Sequence, residues 1–380
     1  MLGWLRRLLA RGAARSSPEH RRHEVAAPRA TPGLDPRAGA SAVPPALPAE
    51  ADPGSAPADH PFEPFARALG LAPPAEPPPL GEEAELAELE LCERILAHCR
   101  SNKLGPASAP TLSLRILNLV ASPNADVSEM ARLISADPAL SAGILTVANS
   151  VFHRGLSEIE TVRDAVTRLG LDEVGRVAGA LSARSLFNPR LKLELQAFGP
   201  GFAALYRRAI AIATGAAALA MRTGARSDRA YLGGLLHDVG RTVALRAVAD
   251  LAREGQLGLE PSDPRIERAV DRVHVDVGAE VHQEWQLPQY LTVLAVRHHD
   301  PAIPAAPEFL DLHVVRVAAA VHDLHRAPAA AWRAGRELVQ SAAALHLHPT
   351  GVRALWSELR QAEEKVATGF GLEGAPDRRS

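Results

Sequence analysis

The chain has 380 residues, 47% of them hydrophobic and 23% charged, with a formal net charge of -2; this is globular composition with no global attraction to nucleic acid. Only 4% of residues are aromatic, so a core must be assembled from Leu, Val, Ile and Ala, which suits packed helices better than a sheet. The two cysteines, Cys92 and Cys99, sit two turns apart in one helical stretch, about 10 Å of rise, too far to bridge; reduced thiols fit a cytoplasmic location.

Residues 1–15 place Leu2, Leu5, Leu8 and Leu9 near one helical face, with Arg6, Arg7, Arg11 and Arg15 around them. Two readings stay open: an amphipathic basic helix in weak peripheral contact with the inner face of a membrane, or a frayed terminus. Residues 16–81 are rich in proline, alanine and charge, and their sparse bulky apolar side chains predict a disordered linker, with Phe62, Phe65 and Leu69 as a local contact at most. The sequence shows no apolar run of the ~20 residues needed to cross a bilayer and no secretion signal.

From Glu82 onward the apolar residues recur at helical spacing. A first helical subdomain is expected over 82–200 and a second over 201–370, with no sustained period-two alternation and hence little or no sheet. Asp126, with Glu129 three residues on, marks a helix start; Asp137-Pro138 marks the next, as cap and first helical residue. Asn149-Ser150 ends that helix. Thr161 is expected to cap another helix that Gly170 ends, and Asp172 a further one that stops near Asn188-Pro189. In the second half a long helix rich in small residues starts near Phe202, and Trp285-Gln286-Leu287-Pro288 marks a break with Trp285 in the core.

The residues able to carry chemistry are His237-Asp238, His274 and the pair His298-His299, since imidazole and carboxylate are good ligands for a divalent metal and a helical bundle can converge them on one centre. The competing reading is a buried hydrogen-bonded polar network. His322, His325, His346 and His348 read as solvated positions.

The order LLHDVG, HVDVGAEVHQEWQLPQYL, VRHHDP, together with ISADPALSAGILTVANS and IETVRDAVTRLG upstream, resembles the HDOD family, a branch of the HD phosphohydrolase superfamily. The resemblance spans about 111–324 and implies an all-α fold of two packed helical subdomains, the second an HD-like bundle, with a bacterial signalling or regulatory role. It also marks Asp137, Pro138, Asn149 and Ser150 as a structural motif. Catalytic HD enzymes carry a further histidine before the His-Asp pair and a late aspartate. Here those positions fall at Arg208 and near Ala319, with Asp323 one turn beyond.

A degenerate site of this kind predicts a non-catalytic module that binds a signalling protein or a nucleotide messenger. Arg208 would pair with Asp238, and no cofactor is expected. The alternative is a phosphohydrolase or cyclic-dinucleotide phosphodiesterase with one Fe, Mn or Zn on His237, Asp238 and His274.

Overall fold

The computed structural model describes residues 62–71, 81–101, 111–122, 124, 126–149, 159–189, 192, 194–326 and 331–369, all within the compact unit spanning 57–380. The readings made above for 1–15, for Ser150 and for most of 16–81 lie outside the described residues. Among those described there are helices and no strand, the all-α class expected from the composition.

The helices are α1 Glu63–Leu69, α2 Glu82–Ser101, α3 Thr111–Val120, α4 Val127–Ser135, α5 Pro138–Ala148, α6 Val162–Leu169 and α7 Leu171–Phe187. A five-residue π-helical turn, Glu194–Phe198, leads into α8 Gly199–Thr223, followed by α9 Ser227–Leu236, α10 Val239–Arg253, α11 Pro264–Glu284 and α12 Gln289–Arg297. A 3-10 turn at Pro307–Phe309 precedes α13 Leu310–Arg326, α14 Ala331–Ala344 and α15 Pro349–Gly369.

Local chemistry explains many of the boundaries. Asp126 Oδ1 accepts from the backbone N–H of Ser128 at 2.6 Å and of Glu129 at 3.0 Å, capping α4. Asp137 Oδ1 accepts from Leu140 N at 3.1 Å, with Pro138 as the first residue of α5. Thr161 Oγ1 accepts from Asp164 N at 3.1 Å and caps α6, which stops at Gly170, where φ is 81°. Asp172 departs from the expectation: α7 begins at Leu171 with Gly170, two residues before Asp172, in the cap position, and Asp172 sits in the first turn, where its charge favours the helix N-terminus instead of capping it. Asn149 does more than end a helix. Its amide donates to Ile159 O and accepts from Ile159 N, both at 2.8 Å, tying the end of α5 to the approach to α6.

Two apolar cores result. The smaller gathers Ile116, Met130, Ile134, Ile144, Val166 and Val174 from α3 to α7. The larger is built around α8, which packs on α9, α13 and α15. Helix α2 contributes Leu91, Cys92, Ile95 and Cys99 to this larger core and lies against α10 and α11. Its fully engaged Glu88 faces Arg268 and Arg272 of α11, at 2.6 and 3.4 Å.

Within the stretch read as a linker, residues 62–71 instead hold α1 and its caps, and α1 packs on α15 with Phe62 fully buried. Three closely spaced apolar side chains, Phe62, Phe65 and Leu69, are enough to dock one helical turn pair on a preformed bundle. The stretch Glu194–Thr223 is, by length and composition, apolar enough to cross a membrane, contrary to the reading of the sequence. In the fold 61% of its most apolar window is buried against protein.

Candidate functional site

The buried polar residues of the larger bundle converge where seven helices meet. His237 is the residue after α9, its backbone N–H bonded to Gly233 O at 2.9 Å, and Asp238 is the residue before α10. Helix α11 brings Asp271 and His274, the end of α12 brings His298 and His299, α8 brings Arg208, α13 brings Asp323, and α14 brings Arg333 and Glu337. Gly240 sets the spacing between α10 and α11: a Cβ there would stand 2.0 Å from His274 O and 2.6 Å from Gly278 N. Only glycine permits the backbone approach that sets Asp238 beside His274.

The imidazoles share one device. His237 Nδ1 lies 2.9 Å from Gly234 O, His298 Nδ1 2.9 Å from Ala295 O and His274 Nδ1 2.5 Å from Asp271 O, each a carbonyl three residues back on its own helix. An Nδ1–H donated to that carbonyl leaves a neutral ring with its lone pair on Nε2. Burial pushes the His237 pKa down to about 3 and that of His274 to about 4, and holds His299 well below its ordinary value, so these three rings are neutral near pH 7.

Electron-pair donors therefore face one another. His274 Nε2 and His298 Nε2 are 3.2 Å apart, and each is 3.2 Å from Asp238 Oδ1. The last two approaches are not aligned as hydrogen bonds, and Asp238 Oδ1, His237 Nε2 and His299 Nε2 are buried without a hydrogen-bond partner. Asp238, His274, His298 and His299 each offer a ligand atom, all within 4.8 Å of one another.

An equilateral triangle of donors with 3.2 Å edges matches one face of a tetrahedron whose bonds are about 2.0 Å, the length of Zn–N and Zn–O bonds. It also matches three adjacent corners of an octahedron with bonds of roughly 2.2 Å, the two-histidine, one-carboxylate face that suits Fe(II). The donor set thus fits one divalent cation. The set named from the sequence, His237, Asp238 and His274, is revised by this geometry: His298 and His299 join Asp238 and His274, while His237 Nε2 turns to the other carboxylate oxygen, 3.7 Å from Asp238 Oδ2.

The opposite side of Asp238 is occupied by guanidinium groups. Arg208 Nη1 donates to Asp238 Oδ2, while its Nε and Nη2 each donate at 2.9 Å to Asp323 in a bidentate pair. Arg241 Nε also donates to Asp238 Oδ2, at 3.0 Å, and its Nη2 donates to Asp271, which in turn accepts from Arg333 at 2.7 and 2.9 Å. Burial alone would raise the pKa of Asp238 and Asp323; Arg208, joined by Arg241 at Asp238 and by His322 at Asp323, outweighs it and holds both carboxyls below the usual carboxylate range.

Asp323 corrects the expectation that the late carboxylate is lost. Ala319 and Asp323 lie one turn apart on α13, and the rotation of that helix turns the Asp323 carboxylate onto Arg208. His322, read as solvated, is instead buried, with Nδ1 3.3 Å from Asp323 Oδ1, and His325 stacks on Trp356 at 3.6 Å. His346 and His348 stay at the turn before α15, where His348 Nδ1 lies 3.1 Å from Thr350 Oγ1. Sequence reasoning missed Arg241, Asp271, Arg333 and Glu337. The first two stand three residues from Asp238 and His274 on the same helical faces, a spacing that could have flagged them. Glu337 shares a 2.6 Å hydrogen bond with His299 Nδ1, and nothing in its local sequence announces that.

The sequence profile of the HDOD domain matches residues 107–301, just over half of the chain. A Treponema pallidum protein of uncharacterised function is 28% identical over 207 residues, which are 52% of this chain and 38% of that protein's length, so the chain spans well under half of that relative. A Shewanella amazonensis structure provisionally assigned as a metal-dependent phosphohydrolase is similar with a TM-score of 0.51 at 20% identity, covering 71% of this chain and 99% of that one. A Marinobacter aquaeolei structure provisionally assigned as a signal transduction protein has a TM-score of 0.51 at 23% identity, covering 69% of this chain and 58% of that one. At these identities the two structures speak for the fold.

Proposed function

This chain belongs to the HDOD family, and from that premise we propose that it is a signal-transduction module that works by binding a partner protein or a small signalling ligand, and not by hydrolysis. The observation that carries the reading is the Arg208 guanidinium joined to Asp238 and Asp323 at once. A two-metal hydrolytic centre requires those carboxylate oxygens as ligands. Here both oxygens of Asp323 and Oδ2 of Asp238 already accept from arginine, and a fixed, permanently charged side chain stands where a second cation would need to be. The partner is expected on the exterior of the domain, with any membrane contact left to residues 1–15.

A second reading, a phosphohydrolase with a single cation, is favoured by the orphaned Asp238 Oδ1 and the 3.2 Å triangle it forms with His274 and His298. Those three residues, with His299 beside them, would hold the ion. When bound, it would supply Lewis acidity for a water or a phosphoryl oxygen. Asp271 O orients His274 and Glu337 orients His299 from behind, as second ligand partners do in metal sites.

The deciding experiment is metal analysis of the purified full chain alongside hydrolysis of bis-p-nitrophenyl phosphate and cyclic dinucleotides. At most one cation per chain and no turnover are expected. Turnover that rises with added Mn, Fe or Zn and disappears in His274→Ala would replace the binding reading with the enzymatic one.

A further inference from the structure

Arg316, on α13, is the largest fully enclosed side chain in the fold, 2% exposed, and its Nε and Nη1 are buried with no hydrogen-bond partner. A buried, permanently protonated guanidinium with unfilled donors is costly, so native structures fill them. The two carboxylates whose charge it feels are Glu337 and Asp300. Neither hydrogen-bonds to it: Glu337 Oε1 lies 2.6 Å from His299 Nδ1 and 3.8 Å from Arg333 Nε, and Asp300 Oδ2 accepts from Arg297 Nε at 2.7 Å. The neighbouring His313 is no counter-charge either. Its Nε2 faces Pro304 O at 3.1 Å and its Nδ1 faces Ser341 Oγ at 3.2 Å, an arrangement satisfied by a neutral ring.

Two guanidinium N–H groups are thus left without acceptors, seated between α13 and α14. The segment running from Asp300 to Ala306 closes over this part of the bundle. It is pinned by the His313 contact to Pro304 O and by Gln340 Nε2, which donates to Pro301 O at 3.0 Å. We propose that Arg316 is the seat of a small inorganic anion, held by guanidinium N–H groups beneath this segment. The seat lies two turns, about 10 Å, along α13 from Asp323. A compact halide and a tetrahedral oxyanion share the chemistry required.

The test uses the full chain in halide-free, phosphate-free buffer at constant ionic strength set with gluconate, an anion too bulky to enter. Titrating in sodium bromide or inorganic phosphate should raise Tm saturably by about 2–4 °C, the effect of an anion bound near tenfold above its dissociation constant. Arg316→Met should abolish the rise, and crystals soaked in bromide should show an anomalous peak against Arg316. A response to bromide identifies a halide seat, and a response to phosphate alone an oxyanion seat. A flat titration of the unsubstituted protein with both salts, together with bromide-soaked crystals showing no peak and Glu337 turned onto Arg316, would overturn the proposal. The soak and the wild-type titration decide the matter even where Arg316→Met fails to fold.

Discussion

The two cores of this protein use polar residues in opposite ways. Around the smaller core, Asp126, Asp137, Thr161 and Asn149 bond to backbone two to ten residues away, and each serves one helix end or one chain crossing. In the larger bundle the polar side chains bond across the chain: Arg208 to Asp238 over 30 residues and to Asp323 over 115, Arg333 to Asp271 over 62, His299 to Glu337 over 38. The first arrangement completes secondary structure locally. The second is a network whose members are buried because of one another, so removing one strands the rest. The smaller core should therefore tolerate polar substitutions at the cost of one cap, while the bundle should not.

The largest effect expected is from Gly240→Val, which drives a side chain into the backbone of α11 at His274 and Gly278. We expect a loss of more than about 4 kcal/mol or failure to fold, read by urea denaturation. Next is Arg208→Ala, which leaves the Asp238 and Asp323 carboxylates facing each other across the vacated position; a loss of about 3–5 kcal/mol is expected at pH 7. Restoring most of it with Asp323→Asn in the same chain would show that uncompensated charge, not lost packing, is the cause.

The dependence on pH separates the two cores further. Burial depresses His237 to about 3, His274 to about 4 and His282 to about 4, so between those values and pH 6.5 the unfolded chain binds more protons and stability must rise with pH. Glu337 opposes this: burial raises it to about 7, so the stability associated with its protonated form is full below pH 4.5 and lost as pH climbs through 7. Three histidines against one glutamate give a net loss on acidification from pH 6.5 to 4.5, carried by the bundle. Hydrogen exchange resolved by helix should show α10 to α12 losing protection over this range before α4 to α6. Equal loss in both would remove the distinction.

Smaller effects belong to the first core. Asn149→Ala removes two 2.8 Å hydrogen bonds to Ile159 and should cost about 1–3 kcal/mol. Asp126→Ala should lower the urea midpoint least of all, with no change in metal content or in the bundle's exchange protection.

The legibility of the sequence follows the same division. The caps at Asp126, Asp137 and Thr161 could be read because their chemistry is complete within four residues. Asp172 was misplaced because its neighbour Gly170 could begin α7 without a side-chain cap. Histidines 237, 274, 298 and 299 were legible as candidates because few residue types bind metal and their order matches a family. Which nitrogen each presents, and that His298 and not His237 completes the triangle on Asp238, was not legible.

Most helix positions (α1 and the start of α7 apart), the all-α class and the family were thus determined by the sequence itself, since periodicity, capping and motif order are properties of short segments. The tertiary structure alone decided that Asp323 faces Arg208, that Arg241, Asp271, Arg333 and Glu337 belong to the centre, and that Arg316 is left with two unfilled N–H donors. The reason is geometric. Consecutive residues on a helix point about 100° apart, so the rotation of α13 and α14 set by packing selects which side chains face inward, and no local segment encodes that rotation.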